Sequence, residues 1–363
     1  MRILIDIGHP AHVHLFKNFY RLMSKNGHNI IISIRDIKSV KTLLEEYEIK
    51  FICIGSKHDS VFGKLFNQIQ YGITIYNIVK KYKINYGIGT SINLSHISKL
   101  TRMKSIILDD DDDDVDPLFV KFAHPFSDIL LSPDVLKGKR KKKDTIFYSG
   151  YHELAYLHPN WFKPDESILN EVNLKPDEPF FIMRFNVFKA HHDIGARGLS
   201  LEQKLKLIHT LEPYGKIFIT TERDIEPELQ KYQYRTSPEK IHHFLYYATM
   251  FVGDSQTMTS EAAVLGTPAI RCNTFVGKIS YLEEEENKYG LTYGFTPDRF
   301  DLMLEKIREL LKMSNLKVEW QKRRERMLKD KIDVTAFLVW FVENYPESTQ
   351  IMRENPEYQY NFK

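Results

Sequence analysis

At 363 residues the chain is too long for one ordinary core, and its length alone predicts two domains of usual size. A composition of 42% apolar and 27% charged residues is that of a globular protein, and no apolar run approaches the roughly 20 residues that a membrane span requires. The net charge of +3 is too small to select a class of partner, so local clusters must carry that information. The first eight residues do not read as a secretion signal, because Asp6 interrupts an apolar stretch that is already too short. Cys53 and Cys272 fall in strand-like runs and read as buried, reduced thiols, which suits a cytoplasmic chain.

Residues 2–7, 29–34, 50–54, 85–89, 104–108 and 128–131 are short β-rich runs, separated by amphipathic stretches such as 15–25 and 61–83. The alternation predicts an α/β fold with a doubly wound parallel sheet, which binds ligands at the carboxyl ends of its strands. Three polar turns stand at such ends. The first is Gly8-His9-Pro10-Ala11-His12-Val13-His14. Gly8 permits a tight turn and Pro10 presets entry to a helix, which puts His12 and His14 near its start. A neutral imidazole at His12 suits a general base acting on a hydroxyl; capping or packing explains His12 equally well, and His14 better.

The second turn, Gly89-Thr90-Ser91, is small enough for close approach by a ligand or backbone. The third is the run of six aspartates at 109–114, with Asp116 following. One partner cannot neutralise so many carboxylates, so most are expected in solvent, in an acidic loop feeding a helix over 115–122. Asp109 or Asp110, nearest the strand, would orient a histidine or act as a base. Clustered carboxylates also attract hard cations, but no metal is expected here. The basic run at 137–143 reads as a solvated loop, or as a surface resting on anionic lipid at roughly 1 kcal/mol per basic residue. No recognition motif accompanies it, so nucleic acid is not expected as a partner.

Between 151 and 176 periodicity is lost and Pro159, Pro164 and Pro176 accumulate, which marks an interdomain connection. The predicted division is 1–160, 161–332 and a tail, 333–363. A second series follows, with strands at 179–184 and 216–221 and helices at 201–211 and 238–247. Arg184 and Asn186 end the first strand, and Arg184 suits pairing with a diphosphate. The long polar loop 189–200 reads as closing over a sugar, with His192 and Arg197 as its contacts; its histidines lack a third well-spaced ligand for zinc. Glu222, in Thr220-Thr221-Glu222-Arg223, would meet a nucleotide base or phosphate. His242 and His243 read as surface or packing residues.

Residues 250–253 then form a short strand, Asp254-Ser255-Gln256-Thr257 offer helix caps, and the helix that follows is closed by Gly266 and Pro268. Its unpaired N–H groups and partial positive charge suit a phosphate or diphosphate. Glu261, about two helical turns beyond Asp254, is spaced for a ribose's hydroxyls. An ordinary capped unit with Glu261 in solvent explains the same spacing. Residues 283–286 read as a solvated helical face. Helices are predicted at 300–311, 320–331 and 334–345, the last aromatic and partly buried, and the remaining residues read as loosely packed.

Asp254-Ser255, Glu261-Ala262-Ala263, Leu265-Gly266-Thr267-Pro268 and Arg271 together resemble the nucleotide-sugar site of the GT-B superfamily. The chain is similar to the UDP-N-acetylglucosamine 2-epimerases and to an uncharacterised prokaryotic domain family related to them, from residues 6–14 through 192–200 to this segment. The resemblance implies two Rossmann-like doubly wound domains facing a central cleft, with a C-terminal helix crossing back to the first. It implies a nucleotide-sugar donor held by Arg184, His192, Arg197, Glu222, Asp254, Ser255, Gln256, Thr257 and Glu261, no cofactor or divalent metal, and Gly8 and His9 facing the acceptor.

The implied activity is glycosyl transfer from a UDP-sugar to a glycan or lipid-linked acceptor in polysaccharide biosynthesis, with His12 as base, aided by Asp109 or Asp110. The expected location is cytoplasmic, with Lys137–Lys143 as a peripheral contact on the membrane's inner face. A 2-epimerase is the alternative. It is weakened because those enzymes carry an acid in a Gly-Asp-Thr turn where this chain has Gly89-Thr90-Ser91, and because their His-Arg-x-Glu-Asn motif is absent near Arg184. A non-catalytic nucleotide-sugar-binding protein is the third reading.

Overall fold

A strand covered on both faces needs a nearly continuous apolar run, and Arg2–Ile7 (β1) supplies one: every residue after Arg2 is buried. The computed structural model describes residues 1–56, 61–185, 198–221 and 225–363. These divide into unit 1, Met1–Trp161 with Lys331–Lys363, and unit 2, Phe162–Asp330.

In unit 1, β1 leads into Pro10–Lys25 (α1), then Asn29–Asp36 (β2), Lys38–Glu46 (α2), Ile52–Ser56 (β3) and Val61–Tyr82 (α3). Tyr86–Gly89 (β4), Ile92–Leu100 (α4), Lys104–Leu108 (β5), Pro117–Phe122 (α5), Ile129–Pro133 (β6), Ile146–Tyr148 (β7) and Leu154–Leu157 (α6) complete the series. All seven strands are parallel, in the order β3-β2-β1-β4-β5-β6-β7. The order reverses between β1 and β4, which opens a crevice at their carboxyl ends.

Unit 2 contains Phe180–Arg184 (β8), Leu201–Leu211 (α7), Lys216–Thr220 (β9), Gln233–Tyr234 (β10), Ile241–Tyr247 (α8), Met250–Gly253 (β11) and Gln256–Leu265 (α9). Ala269–Cys272 (β12), Ser280–Asn287 (α10), Thr292–Phe295 (β13), Phe300–Leu311 (α11) and Leu316–Asp330 (α12) follow. The parallel order is β10-β9-β8-β11-β12-β13, with its reversal between β8 and β11.

The chain then returns to unit 1. Val334–Glu343 (α13) packs on α1 and α6. Its cap, Asp333, accepts hydrogen bonds from the Ala336 N–H at 2.9 Å and from Trp161 Nε1 at 2.7 Å. The last residues are packed rather than loose. After Glu347–Glu354 (α14), Tyr358 stacks on Trp340 with centroids 4.8 Å apart, Phe362 lies 5.2 Å from the same ring, and buried Gln359 accepts from the Ser149 N–H at 2.5 Å. Two aromatic side chains among polar neighbours are enough to anchor this tail.

One of the two cysteines differs from expectation. Cys272 is buried, which pushes its thiol up to about 12, but Cys53 is exposed because β3 is the sheet's edge strand. Among the described residues, no helix is long and apolar enough to cross a membrane.

Candidate functional site

Each unit places chemistry-bearing residues at the point where its strand order reverses. In unit 2, Gly253 pairs with Arg184 across β11 and β8, and the Asp254 N–H donates to the Arg184 carbonyl at 3.1 Å. The Asp254 carbonyl accepts from Asn273 Nδ2 at 2.9 Å, so this buried turn is held from both sides. Ser255 caps α9, its hydroxyl accepting from the Met258 N–H at 3.4 Å. Gln256 and Thr257 open the helix half-buried, with N–H groups that have no acceptor within the helix. Gly266 ends it in the left-handed conformation at φ 73°.

Arg184 stands beside this helix start and donates through Nη1 to the Thr220 carbonyl at 3.3 Å. Glu261 is buried on α9, with Oε1 2.8 Å from Nε2 of His242 on α8. His242 is therefore an internal partner of the proposed ribose ligand, while His243 packs on Phe162 with centroids 4.8 Å apart. His192, Arg197, Asn186 and Glu222 lie outside the described residues. Arg271 is buried and pairs with Glu283 at 2.6 Å and Glu286 at 3.4 Å; Glu285, fully buried, accepts from the Ser260 hydroxyl at 2.5 Å. Within 283–286, Glu283, Glu285 and Glu286 thus serve interior partners because α10 packs against α9, while Glu284 pairs with half-exposed Lys288 at 3.6 Å.

In unit 1 the reversal lies between the Gly8 turn and Thr90. His9 caps α1, its Nδ1 accepting from the Ala11 N–H at 3.2 Å. His12, in the helix's first turn, accepts at Nδ1 from the Gly8 N–H at 3.4 Å, and Thr90 Oγ1 lies 2.9 Å from its Nε2. Burial, followed by the charges of His9, His152 and Arg35, holds His12 well below its ordinary range; Asp110 acts in the opposite sense. His12 is accordingly a neutral imidazole at physiological pH. His14 is buried in packing, stacked on Tyr156 at 5.3 Å.

The aspartate run is largely drawn inward. Asp109 and Asp113 are buried around Arg140, whose side chain is 1% exposed; its Nη1 lies 3.1 Å from Asp109 and 2.7 Å from Asp113. Arg140 also donates through Nε to the Ser132 hydroxyl at 3.0 Å, and His124 lies 2.8 Å from Asp109 Oδ2. Asp116 caps α5, and only Asp114 is fully in solvent, at 98%. The basic run is likewise divided: Arg140 points inside, while Lys137, Lys139, Lys141 and Lys143 are exposed.

Asp110 pairs with His152 Nδ1 at 2.9 Å. Burial raises the Asp110 carboxyl, but attraction to His152 prevails and leaves it below its ordinary value. Asp111 is driven well above its ordinary value by burial and by the charges of Asp110, Asp109 and Asp116. Carboxylate oxygens of Asp109, Asp110 and Asp111 lie within 4.8 Å of one another. The contacts on Asp109 and Asp110 already come from cationic or protonatable partners, a poor start for a cation site.

The model of the family described as a protein of unknown function, DUF354, matches residues 1–339. The chain belongs to the DUF354 family. An uncharacterised Methanocaldococcus jannaschii protein, MJ0665, is 21% identical over 300 residues, covering 78% of this chain and 86% of its own. Among solved structures, S. aureus MnaA with UDP superposes with a TM-score of 0.69 at 11% identity, covering 96% of this chain and 97% of that one. The spinosyn forosaminyltransferase SpnP gives 0.66 at 12% identity over 95% and 100% of the two chains. The Neisseria meningitidis UDP-GlcNAc 2-epimerase bound to UDP-GlcNAc gives 0.64 at 11% over 95% and 100%. This DUF354 chain therefore has the GT-B fold, with two parallel Rossmann-like sheets of seven and six strands.

Proposed function

We propose that this chain is a GT-B glycosyltransferase that uses a UDP-sugar and acts on a glycan or lipid-linked acceptor in polysaccharide biosynthesis. The observation that carries the reading is the start of α9, where Ser255, Gln256 and Thr257 stand beside Arg184 at the strand reversal of unit 2. A helix terminus and an arginine can stabilise a departing diphosphate without a metal ion, so no cofactor is assigned. That MnaA and the Neisseria epimerase were solved with UDP and UDP-GlcNAc supports a uridine nucleotide.

In unit 1, His12 would take the acceptor hydroxyl's proton. Asp110, whose carboxyl lies below its ordinary pKa and whose charge raises that of His12, would stabilise the imidazolium. Asp109, held by Arg140 and His124, fixes the loop. Glu261, steadied by His242, would accept from the ribose, and His192, Arg197 and Glu222, from a polar loop and a strand end, would contact the donor. Exposed lysines of the 137–143 run would bring the enzyme to an anionic membrane.

An epimerase is the second reading, favoured by the Neisseria neighbour and opposed by the lack of a carboxylate at Thr90-Ser91. Product analysis separates the readings. We expect UDP release from a UDP-sugar that rises with added acceptor, without interconversion at the sugar's C2, and that falls about 100-fold or more in His12→Ala. Interconversion at C2 would instead establish the epimerase, and nucleotide binding without turnover would leave a binding protein.

A further inference from the structure

Arg35 sits one residue from the end of β2, at the carboxyl edge of the sheet beside β1. Its guanidinium lies against Gly8, so closely that a Cβ there would stand 2.8 Å from Nη1. Its Nε is buried without a hydrogen-bond acceptor, and the guanidinium carbon lies 5.6 Å from the centre of the Tyr71 ring. The residue as a whole is half-buried, but a buried N–H donor of this kind normally has an acceptor.

Three described carboxylates at these strand ends are engaged elsewhere. Asp36 pairs with Lys41 at 2.8 Å, Asp6 accepts from the Ser33 and Ser91 hydroxyls at 2.8 and 2.5 Å, and Asp110 pairs with His152. The first turn of the sixteen-residue α1 contains no acidic residue. His152, more than nine-tenths buried and electrostatically coupled to His12, also has an Nε2 with no partner. Among the described residues, unit 1 thus sets a guanidinium without a carboxylate partner, a helix start and unsatisfied nitrogens around the same strand ends.

We propose that Arg35, the Gly8 turn and the start of α1 receive a phosphate-class group carried by the acceptor, so that the acceptor is a phosphorylated glycan carrier and not a neutral glycan. Calling that ligand the acceptor rests on the transferase reading; the anion site itself does not. A guanidinium fork grips two oxygens of a phosphate and leaves a third for the helix start, which a carboxylate cannot supply. Gly8 lacks a side chain where the guanidinium needs room. The shared chemistry is a phosphate monoester, with three unesterified oxygens, on a lipid carrier or on a free glycosyl phosphate.

The test is calorimetric titration of the full chain with pyrophosphate and a glycosyl 1-phosphate, with and without saturating UDP to occupy unit 2. We expect binding that persists with UDP present and weakens at least ~10-fold in Arg35→Met, with UDP affinity unchanged. Arg35→Lys, which keeps the charge but not the fork, should be intermediate, and it decides the case if Arg35→Met does not fold. Equal affinity in the variants, or no phosphate binding to the unaltered chain, overturns the proposal. Failure of UDP alone to bind would count against the donor reading and leave the phosphate titration decisive here.

Co-sedimentation with phosphatidylcholine vesicles, with and without a polyprenyl phosphate, identifies the source. Arg35-dependent capture by the phosphate-bearing vesicles supports a lipid carrier. Arg35-dependent binding of soluble phosphates alone supports a free glycosyl phosphate.

Discussion

Arg140→Met is expected to lower the stability of unit 1 by about 3–5 kcal/mol, read as a shifted midpoint of denaturant unfolding. The methionine would fill the space, but it would leave Asp109 and Asp113 buried without the cation that bridges them at 3.1 and 2.7 Å. It would also remove the donors to the Ser132 hydroxyl and to the Asp109 carbonyl, the latter at 2.6 Å. An unpaired buried carboxylate loses far more than a surface ion pair contributes. Adding Asp113→Asn should recover part of the loss, since one orphaned charge is then removed. A change below about 1 kcal/mol would mean that water, not Arg140, satisfies the two acids.

Gly253→Ala is the second large effect. A Cβ at this position would lie 2.2 Å from the Arg184 carbonyl oxygen and 3.1 Å from the Arg184 nitrogen and carbonyl carbon, all backbone atoms that cannot swing aside. The methyl must push β11 away from β8, and the 3.1 Å bond from the Asp254 N–H to the Arg184 carbonyl goes with it. Overpacking of this kind typically costs about 1–3 kcal/mol, and rigid backbone on both sides puts the expectation at the upper end. Because the strand pair also spaces Arg184 from Ser255, nucleotide affinity should fall in the fraction that folds. Wild-type melting temperature and wild-type UDP affinity together would contradict this geometry.

What the sequence revealed and what it hid follow from the range of the interactions involved. The six apolar runs of the first half and the strand-turn-helix around Ser255 are local patterns, and each marks an element that the structure contains. β7 and β10 are three and two residues long, and β13 contains Gly294; none presents a period to detect. His152 follows β7, so its place at the strand ends was invisible until that strand was known. Arg35 was accessible to the carboxyl-end rule that selected Arg184, but nothing around it in the sequence resembles a motif.

The aspartate run shows the converse error. Charge repulsion argues for solvent only when no cation is near, and Arg140, 27 residues beyond Asp113, is supplied by the fold. The same holds for Glu261, whose partner His242 is 19 residues earlier on another helix, and for Glu285, which meets Ser260 across the α9–α10 contact. Spacing identified Glu261 as a candidate; only packing shows what holds it.

The central claim is that the start of α9, with Arg184, holds the diphosphate of a uridine nucleotide. Titration calorimetry of UDP into the full chain tests it most directly, with Arg184→Met alongside. We expect one saturable site per chain and at least ~10-fold weaker binding in the variant, since a charge-assisted pair to phosphate is lost. No saturation up to roughly millimolar UDP, or equal affinity in Arg184→Met, would contradict it.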